Sequence, residues 1–372
     1  MKRYLFFLVT LVLMVGMGCE QQNPTTPESS ASPGSAAKFA GGQRIDRAAI
    51  KAKLETVQAR LATLRAAHNA KPVTKRAQNE TGAAGIEATL VVPDVYATIQ
   101  DAVDAALPGD QITVKASGSP YTESVFVSTA DLKIVASGEV TLLGYFDVSA
   151  SGVSIEKFII DAAVEGIGIS AGSEISGGKI KNNTIGGDFV ALAGIYMIDC
   201  ANFAVEGNTC SRSVFGIYLL IDDIDPPYSN LIKKNRCREN EYGIEVDNAS
   251  GNQLIENTCN LNFVAGIYLS DSHNNELQKN VCNNNVGTGF CVGVGGSSGN
   301  IIRPDNTAKN NGDHGIILDA SSFNNKVKEN TFTGNTPCDI LDEGTGNVFR
   351  NNTFDCSSLA AAKLAENSGV KP

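Results

Sequence analysis

Residues 257–280 read NTCNLNFVAGIYLSDSHNNELQKN, and this line recurs with variations along most of the chain. Its frame is Asn, one residue, a small or apolar residue, a polar turn, Gly-Ile-x-apolar, and a second turn containing Asn. Clear copies begin at Asn208, Asn235, Asn257 and Asn280, and looser ones at Asn183, Asn306, Asn330 and Asn352. Between them stand Gly194-Ile195, Gly216-Ile217, Gly243-Ile244, Gly266-Ile267, Gly289-Phe290 and Gly315-Ile316. Successive copies lie 22 to 27 residues apart. Self-similarity at that period is the signature of stacked repeats.

The kind of repeat follows from its texture. Each copy carries very short alternating runs such as Gly266-Ile267-Tyr268-Leu269, separated by Asn, Ser, Asp and Gly. Alternation of that length is strand patterning, and the separators form turns. No segment of the repeat shows helical periodicity, and the frame of leucine-rich repeats is missing. The remaining solution is all-β, a parallel β-helix solenoid with one coil per copy, each coil about 4.8 Å above the last.

Aligned copies sort inward from outward positions. Ile195, Ile217, Ile244, Ile267, Phe290 and Ile316 form one inward column, and Met197, Leu219, Val246, Leu269, Val292 and Leu318 a second. Ile180, Val205, Ile232, Leu254, Leu277, Val327 and Phe349 form a third; Ile185, four cysteines, Ala308, Phe332 and Phe354 a fourth. Asn208, Asn235, Asn257, Asn280, Asn306, Asn330 and Asn352 repeat as strictly as any apolar column. A second Asn column, Asn230, Asn252, Asn275, Asn300, Asn325 and Asn347, precedes it by five or six residues. An Asn side chain tolerates the left-handed conformation and bonds neighbouring backbone, so stacked Asn can satisfy the turns coil after coil.

The chain has 372 residues, a net charge of −10, 37 Gly and no Trp. That composition suits an exported Gly/Asn-rich β protein, and the acidic balance argues against nucleic acid as a partner. Met1-Lys2-Arg3 and the apolar run from Tyr4 to Val15 form a positive n-region and an h-region too short to span a bilayer. The segment ending at Cys19 resembles a bacterial lipoprotein lipobox, with Gly16 where Leu is usual. The resemblance implies a signal peptide over 1–19, lipidation of Cys19 and a membrane anchor in the envelope, at the outer membrane or cell surface. Ordinary secretion or a periplasmic location is the alternative. Residues 20–42 are a flexible tether rich in Pro, Ser, Thr, Gly and Ala. Over 43–70, Ile50, Leu54, Val57, Leu61 and Leu64 follow 4-3-4-3 spacing, a helical seam that fits either a self-associating stalk or a helix docked on the solenoid. Residues 71–88 are a second linker, 89–356 the solenoid and 357–372 a tail.

The solenoid entry reads YATIQDAVDAALPGDQITV from Tyr96, followed by Tyr121-Thr-Glu-Ser-Val125. A short amphipathic helix with Ile99, Ala102, Val103 and Ala106 on one face, ended by Pro-Gly, would cover the open end of the first coil. This phrase resembles the entry segment of the pectin-lyase-like right-handed β-helix superfamily. The later coils resemble the parallel β-helix repeats of NosD-type periplasmic proteins and of carbohydrate-binding/sugar-hydrolase (CASH) domains. The resemblance spans roughly 89–356 and speaks to fold; the scaffold hosts lyases, hydrolases, epimerases and inert spikes alike.

Candidate chemistry lies on the outside. Tyr196, Tyr218, Glu245 and Tyr268 each follow the inward Ile of a Gly-Ile pair, so they should face solvent on four successive coils. Exposed aromatics so spaced offer sugar rings an apolar face with a polar handle; the plain alternative is β-propensity on a solvated strand. Asp199, Asp222, Asp223, Asp225, Asp247, Asp271 and Asp319 fall just after the same strands and should project from one edge of the solenoid, where an over-long coil adds the acidic loop 221–228. Clustered carboxylates, above all Asp222, Asp223, Asp225 and Asp247, suit Ca²⁺, although turn Asp is common for local reasons. His314 in Gly312-Asp-His-Gly315 and His273 read as turn residues, and the third His, His68, falls in the helical segment. No catalytic residue is assigned. Cys210, Cys237, Cys259 and Cys282 share an inward column, where parallel Cβ vectors favour buried thiols over disulfides or a soft-metal site. The expectation is an envelope-anchored β-helix that recognises, and in an enzymatic version processes, a polysaccharide. The alternative is a structural or maturation factor that binds no glycan.

Overall fold

The structure is a computed structural model that describes residues 47–70, 88–172, 174–221, 229–293, 295–360, 363–364 and 367–368. Cys19, the tether, nearly all of the second linker and Asp222, Asp223 and Asp225 therefore lie outside the described residues.

The helices α1 (Arg47–Asn69) and α2 (Ile99–Ala105) accompany a stack of strands that, among the described residues, pair in parallel between successive coils. Each coil visits three sides. A 12-stranded sheet carries three-residue strands such as Leu231–Lys233, Gln253–Ile255 and Glu276–Gln278, with Ile232, Leu254 and Leu277 in register. After an Asn corner comes a third row, including residues 209–211, Arg236–Arg238 and Thr258–Asn260. A second corner leads to the broad sheet, with strands such as Tyr242–Asp247 and Ala265–Ser270 pairing Ile244 with Ile267. Alternation along each short strand sends one side chain inward and the next outward, so stacking the coils buries a continuous core.

The inward columns read from the repeat are the core. Ile195, Ile217, Ile244, Phe290 and Ile316 are fully buried, as are Val205, Ile232, Leu254, Leu277 and Phe349, with Ile302 completing that row. The Asn columns work as ladders. Asn257 is representative: its Oδ1 accepts from Asn235 N and Nδ2 at 3.0 Å each, and its Nδ2 donates to Ile232 O at 2.8 Å and to Asn280 Oδ1 at 3.0 Å. The left-handed residue is the one before each ladder Asn, in place of the Asn itself: Lys234, Glu256 and Lys279 have φ of 56°, 58° and 55°. That corner turns the following side chain inward, where the coils on both sides supply its partners. A third ladder, Asn240, Asn262, Asn285, Asn311 and Asn335, runs at the other corner, each Oδ1 of the later residue accepting from the Asn N–H one coil before.

Both solenoid ends are closed. α2 buries Ile99, Ala102 and Val103, with Thr98 Oγ1 capping Asp101 N, and Glu123 accepts from the N–H groups of Ile99 and Gln100 at 2.9 Å each. A carboxylate there complements the helix N-terminus. At the other end Asn367 extends the first ladder by accepting from Asn352 N at 2.9 Å, and Cys338 and Cys356 form a disulfide. Helix α1 runs back along the broad sheet. His68 stacks on Phe126, Arg65 holds Asp147, Gln58 reaches Tyr196 and Lys53 reaches Val190 O. At about 1.5 Å per residue its 23 residues extend roughly 34 Å, or about seven coils. Its seam residues Ile50, Val57 and Leu61 are buried on the chain's own sheet. Among the described residues no helix is long and apolar enough to cross a membrane.

Candidate functional site

The column Tyr196, Tyr218, Glu245, Tyr268 exists in the register read from the repeat. It points away from the solenoid core, but it does not face solvent: the four residues are 1%, 5%, 2% and 1% exposed. This corrects the expectation of open aromatics. The tyrosines share one apolar cluster with Ile50, Val57 and Leu61 of α1, joined by Phe215, Tyr242 and Val214. Rings stack within it, Tyr196 on Tyr218 at 5.7 Å and Phe215 on Tyr218 at 4.3 Å. The physical reason is burial: an aromatic strip beside an amphipathic helix gains more from the helix seam than from water. Polar groups of α1 also find partners on the sheet. Gln58 Nε2 donates to the Tyr196 hydroxyl at 2.7 Å, and Arg65 makes a two-pronged contact with Asp147, 2.7 Å on each oxygen. Arg60 adds an ion pair to Glu165 at 2.5 Å. Burial lowers the Lys53 ammonium, against the pull of Glu241.

The acidic edge is dispersed. Asp247 Oδ2 accepts from the Tyr218 hydroxyl at 2.9 Å, and burial and the Asp247 charge raise Asp271 while His273 pulls the other way. Asp319 does not project from the edge as expected; it is 3% exposed and bonds Ser321 N and Oγ. Short polar turns favour this inward Asx geometry over a solvated carboxylate. Of the four residues expected to hold Ca²⁺, only Asp247 is described. Among the described residues no group of three or more His, Cys, Asp or Glu converges as a metal site. His314 Nδ1 lies 2.5 Å from Asp313 Oδ1, a contact within the turn.

The cysteine column is fully buried, and Cys210, Cys237, Cys259 and Cys282 are free thiols. A hydrogen bond to Cys237 and then burial push Cys210 well up, and burial does the same for Cys237 and Cys259.

An open surface lies on the third row instead. Arg236, Arg238, Thr258, Asn260 and Leu261 line a groove of about 180 Å³. Thr258 pairs with Arg236 and Asn260 with Arg238 one coil apart, so four outward side chains form a rectangle. Asn260 Oδ1 accepts from Asn283 N at 2.8 Å. Leu261 closes one corner, 48% exposed and with φ of 62°.

Residues 165–332 match the family model described as "Right handed beta helix region". The fold is the right-handed parallel β-helix. No curated protein matches the chain. Solved structures similar to it include a DFA-IIIase from Arthrobacter chlorophenolicus A6 in complex with GF2, at 14% identity over 67% of this chain and 78% of that one, TM-score 0.49. The pectate lyase Pel9A gives 14%, 74% and 81%, with a TM-score of 0.48. A double mutant of the periplasmic alginate epimerase AlgG gives 17%, 70% and 84%, with 0.43. At these scores the likenesses carry no argument about chemistry, and a β-helix by itself specifies none.

Two features of this β-helix escaped the sequence reading. The third Asn ladder has a legible signal, since each member stands five residues after a member of the first ladder. The groove had a weaker one: Arg236 and Arg238 flank Cys237, so an inward Cys forces both guanidinium groups outward.

Proposed function

We propose that the protein is an exported polysaccharide-binding β-helix, held at the cell envelope through its N-terminal segment and lipidated Cys19. In this reading the tyrosine face of the broad sheet is the seat of α1, and the glycan lies across the third row. The observation that carries the proposal is the open groove of Arg236, Arg238, Thr258, Asn260 and Leu261 on a solenoid whose aromatic face is already filled. Outward Thr, Asn and Arg side chains on neighbouring coils repeat at about 4.8 Å, a spacing comparable to one sugar ring, and loops and outer faces are where solenoids place binding. No bond-breaking step is assigned to these residues.

The test is affinity electrophoresis of the full chain through gels containing a panel of plant, algal and bacterial polysaccharides. At least one should retard the protein. Thr258→Trp, which fills the groove on a strand position that tolerates aromatics, should abolish the retardation at an unchanged melting temperature. Retardation by none of the panel would remove the proposal.

A further inference from the structure

Helix α1 is opposite in charge to the body it lies on. It carries Arg47, Lys51, Lys53, Arg60 and Arg65 against the single carboxylate of Glu55, in a chain of net charge −10. The seat is its complement. Arg65 holds Asp147, whose side chain is 1% exposed, Arg60 meets Glu165, and His68 Nε2 lies 3.5 Å from Asp104. Between these contacts Ile50, Val57 and Leu61 share one apolar cluster with Tyr145, Tyr196, Tyr218 and Tyr242. An aromatic floor flanked by acids suits one kind of occupant, an amphipathic helix with basic flanks. Left open, the face would present a contiguous apolar patch, so the seat calls for a helix.

The contacts do not fix which copy supplies it. Each partner of α1 named above belongs to the solenoid, so the α1 of another copy would find the same groups. The connection is long. Residues 71–87 join the described end of α1 to Ala88, and that much chain spans up to about 60 Å when extended. The route within one chain needs far less, because α2 adjoins both ends of it. Asp104 of α2 meets His68, and α2 also packs on the strand Thr89–Val92 that follows Ala88. The hold on α1 is modest as well. Beyond its polar contacts it rests on three buried apolar side chains and the half-buried Leu54 and Leu64. An element held in this way opens at lower cost than the body it covers. The ends also coincide: the His68 seat beside Phe126 and the entry at Ala88 both lie at the first coils. Two copies set with their first coils side by side can trade helices, each linker crossing only between those coils. Exchange of an identical element restores the contacts made within one chain and closes a two-fold pair.

We propose that the tyrosine face is an interaction surface for α1 of a second copy, and that the protein pairs by reciprocal exchange of this helix. The seam from Ile50 to Leu64 then docks on a solenoid and joins two chains at once. The proposal stands independently of the glycan reading.

The test uses the full chain with Arg60→Lys, which keeps the charge opposite Glu165 and supplies an amine that a carbodiimide can join to that carboxylate. Unlabelled and nitrogen-15-labelled chains are mixed equally, incubated below the melting temperature, crosslinked and separated by size. Mass spectrometry then reads the peptides that join residues 60 and 165. A dimer fraction that grows with protein concentration is expected, with about half of its 60–165 crosslinks pairing a light with a heavy chain. The monomer fraction should hold crosslinks of one isotope only. Lys181 and Glu206, 2.8 Å apart on neighbouring coils, should give single-isotope peptides in both fractions. Excess synthetic peptide of residues 47–69 should convert dimer to monomer. Monomer alone at every concentration, or a dimer whose 60–165 crosslinks are all of one isotope, would overturn the proposal. So would a dimer with no crosslink at residue 60, because its α1 would then be off the seat.

Discussion

Replacing Asn257 by Ala should cost about 3–5 kcal/mol, far more than an ordinary surface change. The side chain is fully buried and makes four hydrogen bonds at 2.8 to 3.0 Å. Ala removes the acceptor of the Asn235 backbone N–H, and a buried donor left without a partner costs about 1–3 kcal/mol. The three remaining bonds each carry a net value of about 0.5–1.5 kcal/mol, and partial relaxation of the ladder holds the total below the simple sum. Asn257→Asp keeps the acceptor for Asn235 but puts a charge where an amide donated, so it should also destabilise, and more so as pH rises. The assay is urea unfolding followed by far-ultraviolet circular dichroism, with the slope checked so that a shift in midpoint reports stability. A loss under about 0.5 kcal/mol at unchanged slope would refute the reasoning, because the corners would then be held by something other than the ladder.

Leu61→Ala, which truncates a 5% exposed residue of the α1 seam, should loosen the helix by about 2–4 kcal/mol; faster amide exchange across 47–69 is the readout, and unchanged exchange would contradict it. Cys210, Cys237 and Cys259, raised well above the ordinary thiol range by burial and by one another, should resist iodoacetamide in the native protein and react after denaturation; rapid native labelling would overturn the register. Asp313 is pushed up by burial, but hydrogen bonds and charge from His314 outweigh this and hold it below the ordinary carboxylate value. A group depressed on folding stabilises above its unfolded value and loses that as pH falls through its folded one. Asp313→Asn should therefore lower stability at neutral pH and flatten its fall below about pH 4; urea midpoints that fell in parallel for both proteins would contradict it.

The core was legible because a solenoid repeats its constraints. Ile244 is inward for the same reason as Ile217 and Ile267, and eight copies of one line leave no second register. The ladders were legible in position but not in geometry: Asn257 was read as the left-handed residue, and Glu256 takes that conformation. The outward face was misread because alternation says only which side of a strand a residue occupies. Whether Tyr196 then meets water or a helix depends on a segment some 140 residues earlier, and the seam from Ile50 to Leu64 fitted either a stalk or a docked helix. Sequence spacing carries no information on that choice; the burial of Val57 and Leu61 against the tyrosine cluster does. The groove was missed for the converse reason. Arg236 looks like any solvated strand residue until the register sets Thr258 beside it and Asn260 beside Arg238 on the next coil.

The most direct test of the account is hydroxyl-radical footprinting of the protein with and without a polysaccharide that retards it. The account expects Leu261, 48% exposed when free, to be labelled alone and protected on binding, while Tyr196, Tyr218 and Tyr268 stay unlabelled in both states beneath their cover. Labelling of those tyrosines on glycan binding, or protection confined to α1 with Leu261 unchanged, would place the glycan on the broad sheet and contradict it.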